Sequence, residues 1–477
     1  MRKKIVLVLL IIFIASSAAE VQYSIEADRE KILMNTTVKL DCQEECPVSN
    51  WRLDWKIPEN AEIIGINDSL GRIDSYTLSN DSVIVSTNKG RPRNSETLQI
   101  RMKINEEAEK IHEDWHRREL SLPSFKGEKT TGTVKVVDFI SGWIDYGFLS
   151  SYKGSKMQFR GEGPTNIRLN FGKGNVTDYF NFFGSLPENA DEAYTVAVGT
   201  IGQVQGFERF PAATLPSEKY NRTVNRWSAG EYVSGSIRLR KNLGESSLPV
   251  LSHEVVHGLN DRKLKWDGTK SSYFEEGTSE YAEFLMRKKL YNSGRIDIGP
   301  RSLFGEKEEY RSEIEGKNVI YSLESKGSRE TLWQYYDQNM SFMKNWNPHN
   351  FADYRDFGYA YSELVMRNYV RDNGSIYELY EGMDFDSKVK SPEEKWEFFS
   401  KRMDMKPCNY NEREKFEKCL EKVNDFDYPV YTAKPEGSSS NLEIQKLSLP
   451  NRTQEVKRKT GLLQKIIQFF EGLLSDL

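Results

Sequence analysis

Apolar and polar residues alternate over short stretches between residue 20 and about residue 135. Gly, Asn, Pro and Ser separate these stretches, which include VQYSIEA, TTVKLDC, WRLDWKI, DSVIVST and ETLQIRMKI. Alternation with period two places the apolar side chains on one face of a strand. The spacing therefore predicts an antiparallel β-sandwich or a similar all-β domain over residues 20–135, with NEEAEKIHEDWHRREL as its one candidate helix.

Beyond residue 135 the pattern mixes strand and helix periods. NIRLNFG, AYTVAVGT and EYVSGSIRLRKN have the pattern of strands, and VTDYFNFFGSL has that of a helix. Helical spacing then dominates in SSYFEEGTSEYAEFLMRKKLY, GYAYSELVMRNYVRDNG and SPEEKWEFFSKRMD. A sheet followed by helices predicts an α+β fold for residues 136–380, with a further helical part over residues 381–435.

The two ends of the chain have their own patterns. MRKK, the apolar run IVLVLLIIFIA and the small residues of SSAAE predict a signal peptide over residues 1–19, and an uncleaved anchor is the alternative. Either alternative predicts a secreted or cell-surface protein. Residues 436–459 have the composition of a linker, and residues 460–477 have apolar positions at helical spacing. This amphipathic helix either lies on a membrane surface, as a peripheral contact, or docks on protein.

The cysteines agree with export. Cys42 lies close to Cys46, and Cys408 lies close to Cys419, so the sequence predicts two local disulfides. Free thiols and a four-cysteine metal site are the alternatives, although the spacing fits no common zinc ribbon. Sequons for N-glycosylation permit surface glycans, among them those at Asn35, Asn67, Asn80, Asn175 and Asn451.

Length and charge narrow the classes of function. A chain of 477 residues predicts two or three domains. The net charge of −4 and the pI near 6.0 provide no dominant basic field, so we expect no nucleic-acid partner.

The candidate metal-binding and catalytic residues lie in the pattern His-Glu-x-x-His, which occurs twice. SHEVVHG contains His253, Glu254 and His257, and IHEDWHR contains His112 and His116. Histidines four apart on a helix share one face and can bind one metal ion, with the glutamate beside a metal-bound water. At most one copy is expected to be catalytic.

The surroundings of the two motifs favour SHEVVHG as the catalytic one. The helix of His253 has Ser247 as its predicted N-cap and Pro249 in its first turn, and its apolar neighbours predict burial. His112 and His116 lie in a charged stretch, which predicts surface histidines. Glu276, in YFEEGTSEY, follows His257 with eighteen intervening residues and begins a helical stretch of its own. It is the candidate third zinc ligand, with a solvated carboxylate at a helix start as the alternative, and no Glu-Gly sequence follows His116.

HEVVHG together with YFEEGTSEY resembles the gluzincin metallopeptidases, in particular the aminopeptidase N-like and peptidase MA-like families. The resemblance covers about 120 residues. It implies a zincin (thermolysin-like) catalytic domain over residues 136–380 and one Zn²⁺ bound by His253, His257 and Glu276. It also implies that Glu254 is the general base for a zinc-activated water.

Further roles follow from the resemblance alone. It implies that Tyr359 or Tyr361 hydrogen-bonds the oxyanion of the tetrahedral intermediate and that Glu280 orients a ligand histidine. A strand such as SGSIRLR would form the rim of the cleft and pair with an extended peptide. The Gly-x-Met-Glu-Asn segment that such aminopeptidases use to bind a free amino end is missing, which leaves exopeptidase activity open. Apart from the resemblance, His349 in NWNPHNFADY is a candidate to assist catalysis, with a structural or solvated loop histidine as the alternative.

The sequence therefore predicts an exported zinc metallopeptidase that acts on peptide or protein substrates. Two alternatives stay open: a non-catalytic surface adhesion protein with a degenerate peptidase domain, and a zinc hydrolase of a non-peptide amide.

Overall fold

The computed structural model divides into two compact units, Met1–Lys173 and Gly174–Leu477. Each is described below by itself. The residues that the structure describes are 18–41, 50–53, 60–79, 82–86, 95–124, 127–145, 148–153, 155–202, 209–223, 228–233, 235–264, 272–304, 308–314, 317–323, 329–337, 341–349, 355–381, 391–435 and 442–447.

The first unit is built of strands throughout its described part, as the alternating pattern predicts. An eight-stranded sheet has the order β13-β14-β11-β1-β2-β8-β4-β5, a four-stranded sheet the order β12-β15-β10-β9, and a three-stranded sheet the order β3-β7-β6. The strands are β1 Ala18–Ala27, β2 Lys31–Asp41, β3 Asn50–Leu53, β4 Ala61–Asp68, β5 Gly71–Ile73, β6 Tyr76–Ser79, β7 Ser82–Ser86, β8 Ser95–Asn105, β9 Glu109–Lys110, β10 Trp115–Leu122, β11 Lys129–Val136, β12 Phe139–Ile144, β13 Leu149–Lys153, β14 Lys156–Glu162 and β15 Thr165–Gly172.

One core joins the two larger sheets of this unit. Val21 and Ile100 of the eight-stranded sheet and Leu169 of the four-stranded sheet belong to the same buried cluster. Two sheets around one apolar layer make the unit sandwich-like. It is not purely antiparallel, because β1 pairs in parallel with β11.

Two predictions for this region are wrong. The candidate helix NEEAEKIHEDWHRREL forms β9 and β10 instead, since β10 pairs along its whole length with β15. The predicted boundary after residue 135 lies inside the unit, because β14 pairs with β11 and β15 pairs with β10. The unit ends at Lys173.

The second unit packs helices on a five-stranded sheet with the order β16-β17-β18-β20-β19. Short 3₁₀ helices lie at Gly244–Ser246 and Ser341–Lys344. The other elements are β16 Asn175–Val176, β17 Phe180–Phe183, α1 Asp191–Ile201, β18 Phe210–Leu215, α2 Ser217–Thr223, β19 Gly230–Val233, β20 Ser236–Arg240, α3 Ser247–Lys263, α4 Ser272–Asn292, β21 Glu308–Ile314, β22 Lys317–Leu323, α5 Arg329–Asp337, α6 Arg355–Asn373, α7 Ile376–Glu381, α8 Pro392–Ser400, α9 Arg413–Asp425, β23 Tyr431–Pro435 and β24 Leu442–Lys446.

At the start of this unit, a segment predicted as a helix forms strands and a segment predicted as a strand forms a helix. VTDYFNFFGSL contains the short strands β16 and β17, and AYTVAVGT forms most of α1. Helix α1 is buried over most of its length. A helix that is covered on all sides loses the polar face that marks a helical period, so its β-branched residues mimic a strand.

The predicted division after residue 380 is also absent from the fold. Helices α8 and α9 and strand β23 share one core with the rest of the unit, through residues such as Phe399, Phe416 and Ala433. A Cβ on Gly199 of α1 would lie 2.4 Å from the Tyr431 carbonyl oxygen, so β23 packs directly on α1.

The structure describes one of the two predicted disulfides and part of the predicted linker. The disulfide between Cys408 and Cys419 is present, with a Cα–Cα distance of 5.5 Å. Part of the predicted linker is strand β24, which pairs with β23. Cys42, Cys46 and residues 1–17 and 460–477 lie outside the described residues. Within the described ranges, no helix is both long enough and apolar enough to cross a bilayer.

Candidate metal centre

Helix α3 holds the HEVVH motif inside the second unit. It begins at Ser247, so the predicted N-cap is the first helical residue, and Ser246 occupies the cap position without a capping hydrogen bond to its side chain. Val255, Val256 and Leu259 are fully buried, as the sequence predicts. A buried helix keeps its side chains in fixed rotamers, which a metal centre requires.

Helix α4 brings Glu276 against α3. Asn260 donates to the Thr278 hydroxyl at 3.0 Å and accepts from the Tyr380 hydroxyl at 2.5 Å, which connects α3, α4 and α7 inside the core. Beside Glu276, a Cβ on Gly277 would lie 2.7 Å from the Ser362 carbonyl oxygen of α6. The absence of a side chain at this position therefore sets how closely α4 approaches α6.

His253, His257 and Glu276 converge as the sequence predicts. The two histidine Nε2 atoms lie 3.0 Å apart, and Glu276 Oε2 lies 3.1 Å from His257 Nε2 and 3.4 Å from His253 Nε2. The described residues contain one other group that could hold a cation, and it shares His253.

This triangle suits zinc. Tetrahedral zinc binds imidazole nitrogen and carboxylate oxygen at about 2.0–2.1 Å, so neighbouring ligand atoms are about 3.3 Å apart. The three observed distances lie close to that value. Two histidines and one carboxylate are also the donor set of catalytic zinc sites, in which the fourth position is left for water or substrate.

The other ring nitrogen of His253 faces two carboxylates of α4. His253 Nδ1 lies 3.7 Å from Glu280 Oε1 and 3.6 Å from Glu283 Oε2. Carboxylates in this position favour the tautomer that leaves Nε2 free to bind a metal. The sequence predicted this role for Glu280 and missed Glu283, although a position seven residues after Glu276 lies on the same helical face.

Glu254 lies beside the three ligands and is almost completely buried. Burial raises the pKa of the Glu254 carboxyl to about 8, and a hydrogen bond from the Tyr232 backbone N–H opposes that shift. A Cβ on Gly230 would lie 3.0 Å from Glu254 Oε1, so strand β19 can approach the carboxylate only with glycine there.

The two candidate tyrosines lie in different surroundings. Tyr359 lines the same cleft as Glu254 and the three ligands. Burial and then the charge of Glu276 raise its pKa, which keeps the hydroxyl protonated as a donor. Tyr361 is fully buried and its hydroxyl donates to the Met405 carbonyl oxygen, so it serves the core.

The cleft has a volume of about 130 Å³ and is bounded on one side by strand β19. The sequence predicted SGSIRLR, which forms β20, as the rim. That prediction is wrong, because β20 pairs with β18 on one side and β19 on the other. Strand β19 is the last strand of the sheet among the described residues and contributes Gly230, Glu231 and Tyr232 to the cleft. His349, an exposed loop residue, lines it opposite.

The other His-Glu-x-x-His sequence forms no comparable centre. His112 precedes β10 and His116 lies within it, so the two residues do not share a helical face. Neither belongs to a metal-binding group in the described part of the chain. His116 is buried and stacks on Phe171, which corrects the expectation of two surface histidines.

Comparisons with known proteins give structural matches only. No protein-family model matches the chain, and no curated protein matches it. The chain is similar to the M1 zinc metallopeptidase of Deinococcus radiodurans, with 11% identity over 85% of this chain and 94% of that chain and a TM-score of 0.35.

Two further solved structures are similar to a comparable degree. Aminopeptidase A of Legionella pneumophila is 13% identical over 91% of this chain and 52% of that chain, with a TM-score of 0.34. Native yeast LTA4 hydrolase is 11% identical over 88% of this chain and 69% of that chain, with a TM-score of 0.33. Matches at these identities do not establish the function of this chain.

Proposed function

We propose that this protein is a zinc-dependent peptidase in which His253, His257 and Glu276 hold one zinc ion. The observation that carries the proposal is the triangle of their ligand atoms, with sides of 3.0, 3.1 and 3.4 Å. The buried Glu254 carboxylate lies in the same cleft. A purely structural zinc site has no use for a buried base beside an open ligand position.

Zinc in this position would polarise the scissile carbonyl and lower the pKa of a water molecule. Glu254 would accept a proton from the attacking water and then transfer it to the leaving nitrogen. Burial raises the pKa of the Glu254 carboxyl, and a zinc ion beside it would lower that pKa again and so favour the charged form that accepts the proton. The Tyr232 N–H holds the carboxylate in place for both transfers.

Tyr359 would stabilise the oxyanion. Its hydroxyl stays protonated because burial and the neighbouring carboxylates raise its pKa. Tyr359 is partly buried and lines the cleft, and a donor shielded from water stabilises a developing negative charge more than a solvated donor would. The edge-to-face contact between the Tyr359 and Trp346 rings, with centroids 5.5 Å apart, restricts the orientation of the phenol.

Strand β19 favours a peptide as the substrate. Its partner in the sheet is β20, and its Gly230, Glu231 and Tyr232 line the cleft. An edge strand offers backbone donors and acceptors to an extended chain, which is the common way in which peptides add to a sheet. We place substrate peptides along this strand, with the scissile bond over Glu254.

We also propose that the protein is exported. The predicted signal peptide supports this, and so does the disulfide between Cys408 and Cys419, since such bonds persist in oxidising compartments.

Replacement of the general base tests the peptidase proposal. Wild-type protein loaded with zinc should cleave a mixed peptide pool, with cleavage positions mapped by mass spectrometry. Glu254→Gln should retain zinc and lose at least a hundredfold in rate, because the proton acceptor is gone. A wild-type protein that binds zinc but cleaves no peptide, or a variant with undiminished cleavage, would contradict the proposal.

A further inference from the structure

A second cavity lies next to the metal centre and is lined by three arginines. Its volume is about 390 Å³, and we call it the arginine pocket after Arg287, Arg301 and Arg367. Glu283 belongs to its wall and also lies 3.6 Å from His253 Nδ1. The pocket therefore borders the metal centre directly.

The same three helices build the cleft and the pocket. On each helix the residues of the cleft and of the pocket are spaced by three, four, seven, eight or eleven positions, which places them along one face. The cleft residues are His253 and Glu254 on α3, Glu276 on α4 and Tyr359 on α6, and the pocket residues are Val250 on α3, Glu283 and Arg287 on α4, and Glu363 and Arg367 on α6.

Helix geometry converts this spacing into distances along the helix axes. Val250 lies about 4.5 Å along the axis from His253, and Arg367 lies about 12 Å along the axis from Tyr359. One extended residue spans about 3.3 Å. A side chain on a residue one or two positions from the scissile bond can therefore reach the pocket.

Two of the arginines are held by carboxylates of the wall. Arg367 Nε donates to Glu363 Oε1 at 2.9 Å, and its guanidinium lies 3.6 Å from the centre of the Phe284 ring. Arg287 lies 3.5 Å from Glu283 Oε1 and donates to Ser246 at 3.2 Å. These pairs cancel two positive charges within the pocket wall.

The third arginine leaves the pocket positive. Arg301 is exposed, and its guanidinium has no hydrogen-bond or ion-pair partner among the residues that the structure describes. The lining contains three arginines and two glutamates, which gives a net charge of +1. Leu243, Val250 and Phe284 add an apolar wall.

We infer that the arginine pocket binds a carboxylate of the substrate, so that the enzyme prefers a peptide with an acidic side chain or a free carboxyl end near the scissile bond. The inference rests on the proposed peptidase function and adds its specificity. A guanidinium fork binds a carboxylate through two parallel hydrogen bonds, and the apolar wall accommodates the methylene groups of an acidic side chain.

Binding to the Glu254→Gln protein tests this without turnover. Four zinc-loaded complexes are compared by calorimetry, using peptides of one sequence with Glu or Gln beside the cleaved bond and with a free or amidated carboxyl end. At least one of the two carboxylates should strengthen binding by about tenfold, and the arm that does so identifies its source.

Arg301→Gln in the same background should abolish that difference, and Arg301→Glu should reverse it. Arg295→Gln is the matched control, because Arg295 belongs to the same connection after α4 and pairs with Glu192 instead. The control should keep the tenfold preference.

The outcomes separate the two proposals. Cleavage of peptides by the wild type, with equal binding of all four peptides, overturns the inference and leaves the peptidase function intact. A carboxylate preference that survives Arg301→Gln also overturns it. A zinc-loaded wild type that cleaves none of the peptides contradicts the peptidase function and this inference together.

Discussion

His253 is the residue of the proposed metal centre that has carboxylates on both sides of its ring. Its Nε2 faces His257 and Glu276, and its Nδ1 faces Glu280 and Glu283. Both carboxylates on the far side come from α4, the helix that also carries the third ligand. The orientation of one ring therefore depends on three side chains of a single helix.

Loss of a carboxylate behind His253 should weaken metal binding. We expect Glu283→Gln to raise the Kd for zinc by about tenfold, because a neutral amide stabilises the ligating tautomer less well. The Kd is measured by competition with a chromophoric chelator. Glu275→Gln, on the same helix but facing Lys395, should leave the Kd unchanged, and equal effects of both substitutions would contradict this account.

Substitution of the two tyrosines of α6 tests which hydroxyl stabilises the oxyanion. Tyr359→Phe should lower kcat by about a hundredfold with little change in KM, since its hydroxyl acts on charge that develops in the transition state. Tyr361→Phe should leave kcat unchanged and lower thermal stability, because its hydroxyl bonds the Met405 carbonyl in the core. The opposite assignment of effects would exclude Tyr359 from the oxyanion site.

The sequence predicts which side chains lie close together best where one helix fixes their spacing. His253, Glu254 and His257 share a helical face by their spacing alone, and Glu276 fits a known pattern of spacing. The sequence does not predict that Glu283 lies near His253 or that the Arg367 guanidinium lies over the Phe284 ring. Those contacts depend on how α3, α4 and α6 are rotated against one another, which packing decides.

At the scale of elements, the three helices around the centre are predicted and α1 is not. Helices α3, α4 and α6 contain 17, 21 and 19 residues, which is longer than a typical strand, whereas α1 contains only 11. Helix α1 is covered by α3, α4 and β23, so its sequence shows no polar face. Strand β10 alternates between buried and exposed positions only from Arg118 to Leu122, and the acidic run before it resembles a helix start.

The contact between α4 and α6 is the packing feature on which Glu276 most depends. We expect Gly277→Ala to destabilise the protein by about 1–3 kcal/mol, because the new Cβ meets a backbone carbonyl that cannot rotate away. Zinc affinity should fall with it, since Glu276 moves with α4. Gly65→Ala is the control, as nothing lies within 4 Å of its added Cβ. Denaturant titration with and without zinc measures both effects, and unchanged stability of Gly277→Ala would contradict this packing.

At the scale of the whole molecule, each of the two units has its own apolar core. The sequence predicts a β-rich first region and a mixed second region, and it places the boundary too early. Apolar and polar residues alternate along strands β12–β15, and the first strands of a mixed α/β region would show the same alternation. Their assignment to the first unit depends on long-range pairing with β10 and β11, which local periodicity does not contain.

Separate cores predict separate unfolding. Calorimetry of the full chain should show two transitions, and removal of zinc should lower only the one that belongs to Gly174–Leu477. At a free zinc concentration a thousandfold above Kd, binding to the native state stabilises it by about 4 kcal/mol, and a chelator removes that contribution. Equal shifts of both transitions would contradict two independent cores.

The zinc content of the purified chain decides whether His253, His257 and Glu276 hold a metal ion. We expect one zinc per wild-type chain by elemental mass spectrometry after dialysis, and none in His257→Ala. His112→Ala, in the other His-Glu-x-x-His sequence, should retain one zinc per chain. A wild-type chain without bound zinc, or a chain that loses zinc with His112 and keeps it without His257, would contradict the account.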